Sequence, residues 1–320
     1  MLVKLVRQIG KFIPTTLIRR THSPILLYHS ICKVSSGLGE FHDVSKECFY
    51  AQLRNLYRDF QFVELDEYVA AKNKKNLAVV TFDDGYLSVL DVGLEVLEEL
   101  SIPATIFVNT AFLSGGVFWR DKIRSILSYG LSKKFCSWVS NSKYKLYFDY
   151  RYLYKQSKNK AINSRIFEQA IDSFLLEEKI SLEGMPRFIN AKTLKFKKHK
   201  LITYGNHSHN HYVMSSLNDE EQFKEINAFD DFFSDLDIKT SKVFSLPFGG
   251  NQDLNMSTIS ILKELNYSSI LMSRGCLDTR CKSLYDFKAF DRIMPLDGED
   301  KINLGFGYFL SLRKSNYLSN

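Results

Sequence analysis

The sequence predicts an α/β fold in which parallel strands and helices alternate and curl into an incomplete, distorted (β/α) barrel of about seven strands. Two observations predict this fold. Short apolar runs of buried-strand length recur along the chain, and the segments between them carry apolar residues at helical spacing. A third observation refines it: region 118–199 has helical and aromatic stretches without clear strands, which indicates a helical insertion between barrel strands.

The first part of the chain predicts a β-α-β unit. Residues 77–82 and 104–108 are apolar runs typical of buried strands. Between them a helical stripe is formed by Leu87, Leu90, Leu94, Leu97 and Leu100. The two strands should therefore be parallel and joined by a right-handed crossover. The other elements predicted in this part are strands at 24–29 and 62–65, a helix at 45–58 and a helix beginning at Asp66.

The β/α rhythm returns after the insertion. The pattern there predicts strands at 200–204, 243–246, 268–272 and 290–294, and helices at 219–233 and 258–265. Inside the insertion, residues 164–178 predict a helix whose buried face carries Ile166, Ala170, Ile171 and Phe174. We divide the chain into an N-terminal amphipathic segment, 1–23, and one domain, 24–320, that contains the insertion.

The composition is that of a globular protein that does not bind nucleic acid. Hydrophobic residues make up 45% of the 320 residues, and the formal net charge of +7 is spread along the chain. No basic run is long enough for a nucleic-acid tail, and the lysine-rich stretch 192–200 is typical of a solvated face. Five cysteines, an odd number without a CxxC pair, indicate reduced thiols and a cytoplasmic protein.

The N-terminus mixes apolar and basic residues. Lys4, Arg7 and Lys11 interrupt the apolar stretch that a signal peptide needs. No run reaches the roughly 20 apolar residues that a spanning helix requires. We expect either a short amphipathic helix in peripheral contact with the inner membrane surface or a helix packed on the domain.

An acidic pair follows the strand at 77–82. Asp83 and Asp84 stand where this strand meets a glycine turn. Adjacent carboxylates repel each other, so keeping both ionised requires a compensating cation. A turn or helix-cap pair is the alternative explanation, because Asp is common before helices.

A histidine cluster follows the strand at 200–204. His207 and His211 can ligate one metal if the segment forms a turn or short helix, and His209 lies between them. Two imidazoles and a carboxylate suit zinc, and a catalytic site keeps one position open for water. Cobalt, nickel and iron accept similar ligands. The alternative is a polar loop with exposed histidines.

These groups together would hydrolyse an amide. Asp84, His207 and His211 would hold the metal, which polarises a carbonyl and activates water. Asp83 would accept the proton of that water. His29, at the end of the first predicted strand, would donate a proton to the departing amine if the fold brings it into the same cleft.

Four segments resemble the polysaccharide deacetylase (NodB-homology) family. Thr81–Tyr86 is similar to its first motif, 205–211 to its His-Ser/Thr-x-x-His motif, and Pro247–Gly249 to part of its third motif. The segment 24–30 resembles the subgroup that includes poly-N-acetylglucosamine deacetylases. The resemblance implies that Asp83 is the base, that Asp84, His207 and His211 are the metal ligands, and that His29 is the acid.

The chain departs from the family pattern at two places. Ser245 stands where an Arg usually orients the catalytic Asp, and Arg292 is expected to take that role. No His follows His211, so the usual late Leu-x-His motif is absent and His29 becomes the expected proton donor. The residues expected to line the substrate groove are Tyr86, Trp119, Pro247 and Phe248.

The resulting hypothesis is removal of N-acetyl groups from a sugar of a surface polysaccharide or of its lipid-linked precursor. The partner would be a carbohydrate. One alternative is a deformylase that acts on a lipid-linked sugar. The other is a catalytically inactive glycan-binding protein, which the missing third-motif Arg and late His would suit.

Overall fold

The computed structural model describes residues 8–10, 12–13, 18, 22–33, 42–182, 187–277 and 282–315. The predicted amphipathic segment 1–23 lies largely outside these residues. Among the helices that are described, none combines the length and the apolar character that crossing a bilayer requires.

A mostly parallel sheet forms the centre of the molecule. Its strands, with the short strands that flank them, are β1 (Ile25–Tyr28), β2 (Ser30–Cys32), β3 (Asp43–Ser45), β4 (Gln61–Phe62), β5 (Leu77–Phe82), β6 (Ala104–Val108), β7 (Ile202–Asn206), β8 (Thr240–Ser245), β9 (Ser269–Met272), β10 (Lys282–Leu284) and β11 (Phe287–Asp291). The sheet order is β1-β5-β6-β7-β8-β9-β11-β10, and β4 pairs with β5. The predicted α/β fold is confirmed.

The sheet curls back toward its first strand. Directly after β11, the amide of Ile293 donates to the carbonyl of Ile25 at 3.0 Å, and the amide of Leu27 donates to the carbonyl of Ile293 at 2.9 Å. These bonds bring the far edge of the sheet against β1. The carboxyl ends of the parallel strands therefore form one rim.

Helices cover the outside of the sheet and build the insertion. Outside the insertion they are α1 (Lys46–Tyr57), α2 (Leu65–Ala70), α3 (Leu94–Leu100), α4 (Thr110–Leu113), α10 (Asp219–Phe233), α11 (Met256–Glu264) and α12 (Leu304–Ser315). The helices of the insertion are α5 (Trp119–Ser128), α6 (Ser132–Asn141), α7 (Leu153–Gln156), α8 (Ser164–Glu177) and α9 (Ala191–Phe196). One π-helical turn, Val89–Gly93, leads into α3.

Apolar side chains fill the inside of the curled sheet. Six strands contribute one buried residue each to this cluster, namely Ile25, Val79, Phe107, Val243, Leu271 and Phe290. Leu65 and Tyr68 of α2 belong to the same cluster. Gly205 of β7 leaves room for a ring, because a Cβ there would lie 2.4 Å from Cε1 of Phe107. The interior is thus a packed core, and polar chemistry is confined to the rim.

The insertion differs from the prediction in one buried position. Helix α8 buries Phe167, Ala170, Ile171 and Phe174, whereas Ile166 is 39% exposed. The expectation that Ile166 points inward is wrong, because the buried stripe begins one residue later. The hairpin that joins β10 to β11 was also not predicted, and the last strand ends at Asp291 instead of 294.

Candidate active site

A sharp turn after β5 presents the two carboxylates at the rim. Asp84 and Gly85 both have left-handed backbones, with φ of 68° and 72°. A Cβ at Gly85 would lie 2.9 Å from Cγ1 of Val108, so glycine is the residue that this close approach tolerates. Asp83 and Asp84 are 3% and 6% exposed. Two adjacent carboxylates are therefore buried together, which is costly without compensating charge.

A tight loop after β7 presents the two histidines beside them. Ser208 and His211 have positive φ values of 68° and 59°, so the segment is a turn and not a helix. The carboxylate of Glu225, on α10, accepts hydrogen bonds from the backbone amide and the side chain of Asn210, each at 2.7 Å. Ser208 Oγ accepts from the amide of His211 at 3.0 Å. These bonds fix the loop that carries both rings.

Asp84, His207 and His211 form a group that could hold a metal ion. One ligand atom from each lies within 4.8 Å of the others. Oδ1 of Asp84 is 3.4 Å from Nε2 of His207 and 3.3 Å from Nε2 of His211. Nδ1 of His207 donates to the carbonyl of Ser245 at 2.8 Å, which leaves Nε2 as the ligating nitrogen. Oδ1 of Asp84 is buried and has no hydrogen-bond partner among the residues that the structure describes. The donor set fits a divalent metal of the zinc type.

Asp83 is held by different partners. Arg292, which is 1% exposed, donates from Nη1 and Nη2 to the two carboxylate oxygens of Asp83, each at 2.7 Å. Ser245 Oγ donates to Oδ1 of Asp83 at 3.0 Å and accepts from Arg292 at 2.9 Å. Arg292 also donates to Oγ of Ser273 at 3.0 Å. Ser245 and Arg292 therefore meet at the same carboxylate.

Charge pairing opposes burial throughout this group. Burial alone would raise the pKa of Asp83, but Arg292 and His207 outweigh it and hold that pKa below its ordinary value. Burial likewise opposes ionisation of Asp84, and His207 and His211 lower its pKa nonetheless. For His211 burial prevails and lowers the pKa to about 3. Both carboxylates are thus charged near neutral pH, with a neutral imidazole at His211.

His29 lines the same cavity as Asp83, Asp84 and the two histidines. Its ring packs on the ring of His42, with centroids 4.7 Å apart. Nδ1 of His29 is buried and has no hydrogen-bond partner within the described part of the chain. Burial lowers the pKa of His29, against the opposing effect of Asp84 and Asp83.

The four residues expected in the groove have different surroundings. Phe248 lines the cavity and packs edge-on against the ring of His211, at 4.7 Å between centroids. Trp119 is buried behind the site, and its indole nitrogen donates to the carbonyl of His211 at 3.1 Å. Tyr86 packs on Phe188 at 4.9 Å and lines a separate surface pocket. Pro247 is buried in the turn before Phe248.

The cavity in front of these groups has a volume of about 650 Å³. It also contains Phe118 and Arg120, the two neighbours of Trp119 in the insertion, together with Arg124 and Lys158, which the sequence analysis did not single out. Glu225, which holds the histidine loop, was missed as well. Its sequence signal is a charged residue on the buried face of α10, next to Ile226.

The comparison with protein families agrees with this geometry. A family model described as polysaccharide deacetylase matches residues 70–136, which include both carboxylates and Phe118. The resemblance predicted from the motifs is confirmed. The chain is therefore similar to polysaccharide deacetylases over the segment that carries the two carboxylates. A search of curated proteins finds no matching relative.

Solved structures share the fold at low sequence identity. The Streptococcus pyogenes deacetylase PplD, in complex with acetate, aligns at 16% identity with a TM-score of 0.51, over 87% of this chain and 93% of that one. IcaB from Ammonifex degensii aligns at 16% identity with a TM-score of 0.52, over 86% of this chain and 91% of that one. A de-N-acetylase from Aggregatibacter actinomycetemcomitans aligns at 11% identity with a TM-score of 0.52, over 87% of this chain and 96% of that one. At these identities the likeness establishes the fold.

Proposed function

We propose that the chain is a metal-dependent deacetylase that removes N-acetyl groups from a sugar of a surface polysaccharide or of its lipid-linked precursor. One observation carries the proposal. A metal-ligand set and a separately held carboxylate lie side by side at the rim of a barrel, in a cavity open to a ligand. The family match and the shared fold of the two named deacetylases support it.

The metal would be held by Asp84, His207 and His211. A divalent ion bound there would polarise the acetyl carbonyl and acidify a water molecule. The ligand types favour zinc, and cobalt, nickel and iron are compatible with them. Ser245 fixes the orientation of His207, and Trp119 holds the backbone of His211.

Asp83 would accept a proton from the attacking water. Its lowered pKa keeps it ionised, which a base requires before it can accept a proton. Arg292 is a positioning residue that holds both carboxylate oxygens in one orientation. These contacts support the role expected of Arg292 from the sequence, with Ser245 as a second donor to Asp83.

His29 would donate a proton to the departing amine. Its place in the cavity and its unpartnered Nδ1 support that role. We expect His29→Gln to lower kcat while metal affinity is unchanged, because His29 is outside the ligand set. An unchanged kcat would exclude His29 as the donor.

The direct test is acetate release from fully N-acetylated chitooligosaccharides by zinc-loaded protein. We expect release by the wild type, loss on chelation, and no release by Asp84→Asn. The matched control is Asp235→Asn, an exposed carboxylate that should have wild-type activity. Acetate release by Asp84→Asn at the wild-type rate would contradict the proposal. The deformylase alternative is tested with the N-formyl analogue of the same oligosaccharide, from which chromatography would detect formate.

A further inference from the structure

Arg120 is a buried cation at the insertion side of the active-site cavity. It lies in the first turn of α5, lines the cavity and is 6% exposed. Its guanidinium carbon stands 3.7 Å from the centre of the Tyr154 ring. The position is therefore rigid, and the charge faces the space that a substrate would enter.

Arg120 has no carboxylate partner in the described part of the chain. Its hydrogen bonds to protein both use Nη1, to the carbonyl of Tyr154 at 3.0 Å and to Oγ of Ser157 at 2.5 Å. The neighbouring carboxylate of Asp121 pairs with Arg124 instead. Burial lowers the pKa of Arg120, and the opposing effects of Tyr154 and Asp121 do not offset it. A buried cation is costly unless an anion compensates it.

Phe248 links this cation to the predicted metal ligands. The Phe248 ring packs against His211 at 4.7 Å, and its other neighbours include Arg120 at 5.6 Å and Lys158 at 5.8 Å from the ring centre. One aromatic ring therefore separates His211 from two cations. Lys158 also lines a second surface pocket with Lys155 and Lys160, so the basic surface continues outward from the cavity.

The carboxylates that line the cavity do not neutralise this side. They are Asp83, Asp84 and Glu299, and none of them forms an ion pair with Arg120. Asp83 is paired with Arg292, and Asp84 faces the two histidines. The cavity thus has a metal-binding side with its own charge balance and an insertion side with excess positive charge.

We propose that the substrate is anionic, with a phosphate or carboxylate group close to the N-acetyl sugar that binds to Arg120 and Lys158. This inference rests on the proposed function and names the substrate class. The free Nε and Nη2 edge of Arg120 suits an oxyanion, since a planar guanidinium binds phosphate and carboxylate through paired hydrogen bonds. Lys158 adds a mobile positive charge at the cavity mouth. The oxyanion of the substrate would supply the counter-charge that Arg120 does not receive from the described residues.

Calorimetric binding to the zinc-loaded full-length protein tests the inference. The probes are N-acetylglucosamine, N-acetylglucosamine 1-phosphate and a disaccharide of N-acetylglucosamine and glucuronic acid. We expect at least one anionic probe to bind about tenfold or more tightly than the neutral sugar, since hydrogen bonds to charged groups contribute on this scale. The tighter of the two identifies phosphate or carboxylate as the group recognised.

Two variants test whether Arg120 and Lys158 cause the tighter binding of the anionic probes. Arg120→Gln should abolish it, while any direct contact of phosphate with the zinc would remain in that variant. Lys158→Gln, at an exposed position, should weaken it by a smaller factor without affecting folding. Arg165→Gln is the matched control, because Arg165 is an exposed arginine paired with Glu221. Thermal unfolding checks that Arg120→Gln is folded.

Equal affinity for the neutral and both anionic probes would overturn the inference. So would an anionic preference that both Arg120→Gln and Lys158→Gln retain. Acetate release, measured on the same protein, tests the proposed function separately from anion binding. A preference that depends on Arg120, without acetate release from any probe, would support the binding site and contradict the deacetylase.

Discussion

The barrel rim and the helical insertion differ in whether a buried charge has a partner of opposite charge. At the rim, the charge of Asp83 is matched by Arg292, and Asp84 faces two histidines. In the insertion, Arg120 is buried to a similar extent but forms no ion pair within the part of the chain that the structure describes. In the deacetylase that we propose, the rim would carry out the reaction and the insertion would favour anionic sugars.

The rim also contains strained backbone beside the candidate metal ligands. Asp84, Ser208, His211 and Phe248 have left-handed backbones, and all four belong to the loops at the rim. A bulky residue such as Phe248, with φ of 63°, adopts this conformation at a cost of about 1–3 kcal/mol. Such strain persists where the surrounding structure holds it, and here it directs an aromatic ring over His211.

The largest expected effect comes from Asp83. We expect Asp83→Asn to lower kcat by about 10²- to 10⁴-fold, because an amide cannot accept the proton of the attacking water. Zinc content should be unchanged, since Asp83 is outside the ligand set. Measuring kcat and bound zinc on one preparation checks both points. Loss of zinc together with activity would show that the two carboxylates do not have separate roles.

Arg292→Lys should have the next largest effect. A lysine keeps the charge but cannot contact both oxygens of Asp83 at once, so we expect kcat to fall about 10- to 100-fold. Ser245→Ala removes a single neutral donor and should cost roughly fivefold. The two variants are compared by steady-state kinetics after circular dichroism has shown that both are folded. A larger loss for Ser245→Ala than for Arg292→Lys would contradict the assignment of Arg292.

Trp119→Phe tests how the insertion supports the rim. Phenylalanine keeps an aromatic ring but loses the hydrogen bond to the carbonyl of His211, so we expect zinc affinity to fall about fivefold. Trp138→Phe is the matched control, because its indole bonds to the exposed Glu177 in the insertion. Competition with a zinc chelator measures both affinities. Equal affinities would show that the two regions are independent.

The smallest effect is a pH dependence of stability. Burial raises the pKa of Asp121 to about 6, against the opposing effect of Arg124. Because this folded-state pKa is above the unfolded value near 4, the unfolded chain loses its proton first. Asp121 should therefore reduce stability progressively as the pH rises from about 4 to 6. Urea unfolding across that range should be flatter for Asp121→Asn, and parallel pH profiles would contradict the expectation.

The sequence predicted the barrel better than the insertion, for a physical reason. Buried parallel strands are continuous apolar runs, and polar residues at their ends meet on one rim. Asp83, Asp84, His207 and His211 could be identified from that rule together with the family motifs. Helix α10 was predicted with its observed bounds, since Asn218 and Glu221 form a capping box before an amphipathic stretch.

Contacts between side chains of distant elements could not be predicted from such sequence patterns. The sequence indicates that Ser245 stands at the place of the usual arginine and that Arg292 takes its role, but not that both side chains contact Asp83. Trp119 was expected in the groove because it is aromatic, and only packing shows that it lies behind His211. Arg120 has no motif, and its significance depends on Asp121 pairing with Arg124 instead, which is a property of the folded chain.

Zinc titration of chelator-treated protein tests directly whether Asp84, His207 and His211 form a metal centre. Calorimetry should give one tightly bound zinc per chain for the wild type and for Asp83→Asn, and strongly weakened binding for Asp84→Asn. Zinc bound by Asp84→Asn with wild-type affinity would contradict the assignment of Asp84 as a metal ligand.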